Sequence, residues 1–314
     1  MAKFIVKRVG YMLFTLFIIV TLTFFMMRSI PGDPLARMAR SLPEQTRINF
    51  LRKYGLDKPL IEQYLIYLKG LLTLDLGESL VYPGRSVSAT IAQTSPVSGL
   101  TGGIALGAGL LLGVLLGIIA ALFKNKWPDY VVMILAILGI TVPNFVLASL
   151  LQYLFSVKLR WLPTSGWGTW KNLVLPSLCL SFGVIATYAR FLKSSMLDVI
   201  NQDYILTAQS KGVSRFNIIR KHVLRNAILP LITLLGGSVV AIFTGAFVIE
   251  SIFSIPGIGS YYITSINNND YSMTLGVTVF YAVLFIMMQL LVDLLYGLVD
   301  PRIRLMDKSR KGEA

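Results

Sequence analysis

Few side chains in this sequence could carry out chemistry, and their types limit what that chemistry would be. His222 is the only histidine and Cys179 the only cysteine. Neither a nucleophile–histidine triad nor a histidine-rich metal cluster can be assembled from them. No Gly-Lys dipeptide occurs, which removes the loop that cradles nucleotide phosphates. A membrane-bound enzyme would therefore lack its nucleophile, base or metal. Two carboxylates remain, Glu250 and Asp293, because both fall in or at the ends of long apolar runs. A charge at mid-bilayer costs about 2.5–3.5 kcal/mol on insertion scales, so each must face protein, water or a partner. Asp293 and Asp300 stand seven apart on one helix face, with Asp300 beside Arg302. A structural ion pair or cap and a substrate contact are both open there. Glu250 precedes a Pro256–Gly257 break and is expected to hold the loop of an outer gate. Cys179 reads as a small buried side chain and His222 as part of a polar surface.

A second kind of site, for docking, lies in Asn201–Pro230, NQDYILTAQSKGVSRFNIIRKHVLRNAILP. Asn201 or Asp203 can cap a helix, and Gly212 can end it in the left-handed conformation. Ala208 and Gly212 are four apart, so on a helix they would share one nearly bare face. Ser214 can cap a second helix running toward Pro230. A short exposed helix with a smooth face, ringed by positive charge, suits docking to another protein.

The elements that must position these residues are membrane spans. The chain is 55% hydrophobic and 14% charged, with mean hydropathy +0.69, whereas soluble domains are about a quarter charged. Six runs can cross a hydrocarbon layer of about 30 Å: Val9–Ile30, Val97–Phe123, Tyr130–Val157, Leu173–Leu192, Leu229–Phe253 and Thr274–Val299. Backbone groups cannot stay unpaired in lipid, so the class is all-α integral membrane with six transmembrane helices. The first run is longer than a signal-peptide core and has no small-x-small cleavage site after it, so it reads as a span.

The net charge of +14 follows membrane topology, and nucleic acid is not an expected partner. With the N-terminus inside, inner segments hold seventeen Lys and Arg and the two short outer loops hold three. The other nine lie at the end of the first span or in the long loop, which weighs little in this rule. Both termini are expected in the cytoplasm.

Organisation along the chain follows: 1–30 a first span, 31–96 an extracytoplasmic loop, 97–300 a five-span core with its cytoplasmic loop at 193–229, and 301–314 a basic tail. In the outer loop, Pro43–Tyr54 and Pro59–Leu72 read as helices, with Gly55 and Gly70 near their ends. Ile61, Tyr64, Leu65, Leu68 and Leu72 form one apolar stripe, suited to the membrane core or its interface. Gly99, Gly103 and Gly107, then Gly109, Gly113 and Gly117, step by four and allow close helix approach in lipid. Pro143, within GITVPNF, should kink the third span or free a carbonyl, which is compatible with a gate. No internal repeat is visible, so an inverted-repeat transporter is not supported.

Ordered motifs run along most of the chain. Phe24–Phe25 precede Pro31–Gly32–Asp33–Pro34, and Tyr54–Gly55–Leu56–Asp57–Lys58–Pro59–Leu60 follows. Then come Gly139–Ile140–Thr141–Val142–Pro143, Asp203–Tyr204, Thr207–Ala208, Lys211–Gly212, Arg225–Asn226 and Leu229–Pro230. Phe247–Val248–Ile249–Glu250, Ile255–Pro256–Gly257–Ile258–Gly259, Asn268, Asp270–Tyr271, Val292–Asp293–Leu294–Leu295–Tyr296 and Asp300–Pro301–Arg302 complete the set. In these residues the chain resembles the inner-membrane permease subunits of bacterial ATP-binding-cassette importers. It is most similar to the oligopeptide and dipeptide branch, and there to the first of the two paired membrane subunits.

The resemblance implies a type I importer permease fold in the bacterial cytoplasmic membrane and alternating access driven by ATP. It implies a coupling helix that enters a groove on the ATP-hydrolysing subunit. Carried over residue by residue, that role falls on Asp203, Tyr204, Thr207, Ala208, Lys211 and Gly212. The general Glu-Ala-Ala triplet is replaced here by Leu206–Thr207–Ala208, and sixteen residues separate Gly212 from Leu229. The longer spacing resembles the peptide branch, while any contact needing the glutamate is in doubt. Gate or structural candidates are Pro143, Glu250, Pro256, Gly257 and Asp293. Implied partners are a second homologous permease, two ATP-binding subunits that carry ATP and Mg, and an extracytoplasmic binding lipoprotein, besides peptide and lipid. No cofactor is expected on this chain. Dipeptides, nickel chelates or glutathione are alternative cargoes. A proton-coupled peptide carrier is the alternative from another class, and it would want more spans and embedded acid and base groups.

Overall fold

The computed structural model describes residues 2–29 and 44–299. Its helices are α1 (Ala2–Ser29), α2 (Glu44–Lys53), α3 (Leu60–Leu72), α4 (Val87–Leu122), α5 (Trp127–Thr141), α6 (Asn144–Leu151) and α7 (Trp170–Ile200). They continue as α8 (Asp203–Ser210), α9 (Arg215–Asn217), α10 (Leu224–Ala227), α11 (Leu229–Ile252), α12 (Ile258–Asn267) and α13 (Tyr271–Val299). π-helical turns prolong α6 over Gln152–Lys158 and join α9 to α10 over Ile218–Val223. Among the described residues the extended pairing is limited to an isolated bridge between Glu78 and Ser86. The Pro31–Pro34 motif, Pro43, and the tail with Asp300, Pro301 and Arg302 lie outside the described residues, as does the side chain of Asp293.

Among the described residues, α1, α4, α7, α11 and α13 are each long and apolar enough to cross a membrane. α5 and the extended α6 pass the same test only together, and they meet at 110°. The count is five spans, or six with the bent pair as one. The expected kink at Pro143 is thus a complete break. A residue before proline is pushed out of the helical region, and Val142 accordingly sits at φ −78°, ψ 121°. Pro143 then opens α6, its carbonyl accepting from Val146 N–H at 2.9 Å.

α4 begins well before the apolar run that marks it in the sequence and passes through Pro96. Its early polar residues are tolerated because their hydroxyls bond their own helix. Thr90 Oγ1 donates to the Ser86 carbonyl and Thr94 Oγ1 to that of Thr90, both at 2.8 Å. Gly70 lies in the last turn of α3, near its end as expected. A Cβ there would stand 2.5 Å from the Asp75 carbonyl, which folds back over the last turn.

Two compact units emerge. The first comprises Met1–Ser98 and Pro256–Ile286. Its core gathers Val87, Ile91, Ile258, Met273 and Val277. A Cβ on Gly276 would lie 2.4 Å from Val87, so this helix pair requires glycine at that crossing. The loop between α3 and α4 is tied to the start of α13 by the buried Asp270. That carboxylate accepts from Ser79 Oγ and, at 3.0 and 3.2 Å, from the N–H groups of Leu80 and Met273. On the loop's exposed side, Lys53 Nζ donates to Glu78 at 2.8 Å, which holds the Glu78 carboxyl below its ordinary range.

The second unit is Gly99–Ile255 with the chain from Met287. Here the two glycine ladders part. Cβ atoms on Gly109, Gly113 and Gly117 would stand 2.7–2.9 Å from atoms of Val184, Tyr188 and Ala189, so α4 lies backbone-close on α7. Among the described residues, nothing lies within 4 Å of a Cβ added to Gly99, Gly103 or Gly107. α7 is also approached by α5, where Gly139 lies against Phe182 and Ala186. Cys179, on α7, is buried as expected.

Candidate functional site

The loop between α7 and α11 forms a compact helical knob. α7 continues past its apolar stretch to Ile200, and α8 follows after one short turn. Its N-cap is Gln202, in extended conformation without a side-chain cap bond. Asn201 instead donates from Nδ2 to the Leu197 carbonyl at 2.9 Å, so neither expected residue caps α8. The C-terminus matches expectation. Gly212 has φ +73° and donates to the Gln209 carbonyl at 2.9 Å, and Val213 donates to that of Ala208 at 3.2 Å. These paired bonds around a left-handed residue are the Schellman termination.

Burial corrects the expected docking face. Ala208 is buried together with Ile205, on the side turned into the protein. Ile205 and Val213 help line an open cleft of about 560 Å³ with Leu122, Leu197, Ile200 and Val223. A small residue at position 208 therefore serves packing under α8. What α8 presents outward is Asp203, Tyr204, Leu206 and Thr207, with Lys211 and Gly212 beyond its end. Leu206 is 57% exposed and Phe216, just past the turn, 69%. Their spacing alone carried no signal, because hydrophobicity at a loop helix predicts burial as readily as exposure.

Two motif segments of the loop meet here. Asn226 Nδ2 donates to the Tyr204 hydroxyl at 3.0 Å and to the His222 carbonyl at 2.9 Å, which ties α8 to α10. Tyr204 thus positions the knob as well as presenting a ring. Lys211, Arg215, Arg220, Lys221 and Arg225 are all exposed around it, and Asp203 is the one acid between Asn201 and Pro230. The surface is an apolar patch inside a basic rim.

An ion pair between a buried carboxylate and a half-buried lysine braces the base of this region, and no local signal marked it. Asp129, in the first turn of α5, meets Lys193 Nζ of α7 at 2.5 Å. Its other oxygen accepts from the Asn125 N–H at 3.0 Å, fixing the left-handed turn that ends α4. Removing Asp129 leaves the half-buried Lys193 without its partner and the Asn125 N–H without its acceptor, at about 1–3 kcal/mol. Asp129→Ala is expected to lower the melting temperature and yield in detergent, with Asp129→Leu/Lys193→Met recovering much of both. Wild-type melting in Asp129→Ala would mean that the pair contributes nothing.

The gate candidates fall as follows. Glu250 is buried near the end of α11, and its carbonyl accepts from Ile255 N–H at 2.8 Å across the turn that follows. Pro256 and Gly257 belong to the other unit, where Gly257 caps α12 and the next N–H, of Ile258, donates to Ser98 Oγ at 2.9 Å. A ten-residue helix, α12, thus follows the Pro256–Gly257 break. Among the described residues no group of three potential metal ligands occurs.

The family model described as "Binding-protein-dependent transport system inner membrane component" matches residues 113–305. Its N-terminal companion model matches residues 1–84. The chain belongs to this family of ATP-binding-cassette importer permeases. Among similar proteins, the dipeptide transport system permease protein DppB of Bacillus subtilis is 47% identical, over 98% of this chain and all of its own. The oligopeptide transport system permease protein OppB of Haemophilus influenzae is 42% identical, over 97% of this chain and all of its own. Among solved structures, the MetNI methionine ABC transporter in an inward-facing conformation gives a TM-score of 0.55 at 15% identity. It covers 67% of this chain and 96% of that one. That likeness establishes the type I importer permease fold.

Proposed function

We propose that this chain is the membrane-spanning subunit of an ATP-driven importer that moves oligopeptides across the cytoplasmic membrane by alternating access. Hydrolysis of ATP, with its Mg, takes place on two separate subunits. A second, homologous permease completes the path, an extracytoplasmic lipoprotein delivers cargo, and both termini lie in the cytoplasm. The observation that carries this reading is the knob at α8: a terminated helix with exposed Leu206 and Phe216 in a basic rim suits a groove on a motor protein. Nucleotide-driven closure would displace α8 and, through the Tyr204–Asn226 bond and the Asp129–Lys193 brace, reorient α5, α7 and α11. The 110° break at Pro143 and the buried Glu250 are the places where spans would flex and an outer gate be held.

Dipeptides are a second reading of the cargo, favoured by the higher identity to a dipeptide permease than to the oligopeptide permeases. Reconstituted transporter, with its ATP-binding subunits and lipoprotein, should take up labelled peptide only with ATP. Competition by unlabelled peptides of increasing length separates the two cargoes. Uptake driven by a proton gradient without ATP would overturn the proposal.

A further inference from the structure

We infer that α3 lies in the membrane interface as a lipid-bound helix, embedded in the leaflet at the C-terminal end of α1. In the topology proposed above this is the outer leaflet. The inference needs no assumption about cargo.

The first observation is depth. The apolar run of α1 begins at Val9, after Lys7 and Arg8, and about twenty helical residues cross a layer of about 30 Å. Hydrocarbon therefore ends near Arg28. α3 touches α1 below that level. Tyr64 hydroxyl and Thr21 Oγ1 are 2.6 Å apart. The Tyr64 ring lies 5.3 Å from those of Phe24 and Phe25, and the Tyr67 ring 5.6 Å from that of Phe24. At 1.5 Å per residue, Phe25 and Thr21 stand about 5 and 10 Å inside the boundary. Interfacial amphipathic helices bury their apolar face about 5–10 Å. At the same level α1 exposes Leu22 and Met26, side chains suited to acyl chains.

The second observation is the division of α3 into three faces. Tyr64, Tyr67 and Leu71 fall on the side that meets α1. Beside it lies an apolar strip with no partner among the described residues. Ile61 is 61% exposed, Leu65 58% and Leu72 87%, and no residue of α3 is buried. Next round come Glu62 and Lys69, with Glu62 paired to Lys58 at 2.7 Å. A strip flanked by a membrane span on one edge and by charges on the other is the order of a helix lying at the level of the headgroups. Lipid therefore occupies the strip, and the two alternatives that matter are water and a protein partner.

The test places single cysteines at Ile61, Leu65 and Leu72, with Glu62 and Lys69 as controls, in a Cys179→Ser background of the complete reconstituted transporter. Nitroxide labels at the first three should be relaxed several-fold more by oxygen than by a water-borne nickel chelate, and the controls the reverse. Labels at 61, 65 and 72 relaxed mainly by the nickel chelate would overturn the inference, as would shielding from both agents. If a substitution prevents assembly, the unmodified transporter is footprinted with a membrane-partitioning diazirine and with hydroxyl radicals. Carbene labelling of Ile61 and Leu65 is then expected, and hydroxyl-radical labelling or protection from both sinks the idea.

Discussion

Replacing Leu206 and Phe216 together with aspartate is expected to leave the subunit in the membrane while greatly weakening its hold on the ATP-hydrolysing partner. Both side chains are largely exposed in this chain, so the substitution removes little internal packing. Burying a leucine or phenylalanine against a partner contributes about 1.5–3 kcal/mol each. Losing two apolar anchors therefore weakens association by about 3 kcal/mol or more, roughly a hundredfold. The aspartates themselves would seat well against the basic rim of Lys211, Arg215 and Arg220, so the loss is expected to come from the partner's apolar groove. Co-purification of the ATP-binding subunit and ATP-dependent uptake are the measurements. Gly212→Trp is the companion. Among the described residues no atom lies within 4 Å of a Cβ at that position, so the first carbon of the side chain fits and the left-handed backbone resists by about 1–2 kcal/mol. A membrane-inserted Gly212→Trp subunit should still bind the partner weakly but uncouple hydrolysis from uptake. Near-normal transport in both variants would show that force enters the membrane elsewhere.

How far the sequence foretells this surface differs from residue to residue. Left-handed termination at Gly212 was legible because glycine after a short helix answers a local steric demand. The break at Pro143 was legible in kind but not in size, since a proline fixes its neighbour's backbone without saying how far the next helix will turn. The inward direction of Ala208 was not legible. Helical spacing says which residues share a face, but what that face meets depends on how the loop folds back over Ile218–Val223 and the end of α7. The same limit applies to the glycines of α4. Both ladders have one spacing, yet only Gly109, Gly113 and Gly117 lie under α7. Asp129 and Lys193 left no trace at all, because an ion pair between distant helices has no local pattern. Hydropathy, by contrast, located five of the long helices, but it joined α5 and α6 into one run and missed the early stretch of α4, where threonines satisfy themselves on their own helix, and the last turns of α7.

That contrast between local and distant determinants makes Asp270 the place to test the loop between α3 and α4. Its carboxylate is buried and serves three donors from two parts of the chain. Ser79, the residue it engages, in turn accepts from the N–H groups of Val81 and Tyr82 at 3.2 and 2.9 Å. The loop thus folds around a hydroxyl that Asp270 holds. Truncation to alanine leaves these donors without an acceptor in a dry site, at about 1–3 kcal/mol for each one. Asp270→Ala is expected to lose several kcal/mol locally, opening the loop to protease near Gly77 and Gly84 and cutting uptake severely. Asp270→Asn keeps one acceptor oxygen and should retain a good part of both. Lys53→Ala removes only an exposed pair, worth about 0–1 kcal/mol, and should leave the loop closed. If Asp270→Ala resisted protease as the wild type does, the loop would have to be held by its contacts with α13 alone, and the carboxylate would have to serve something other than loop attachment.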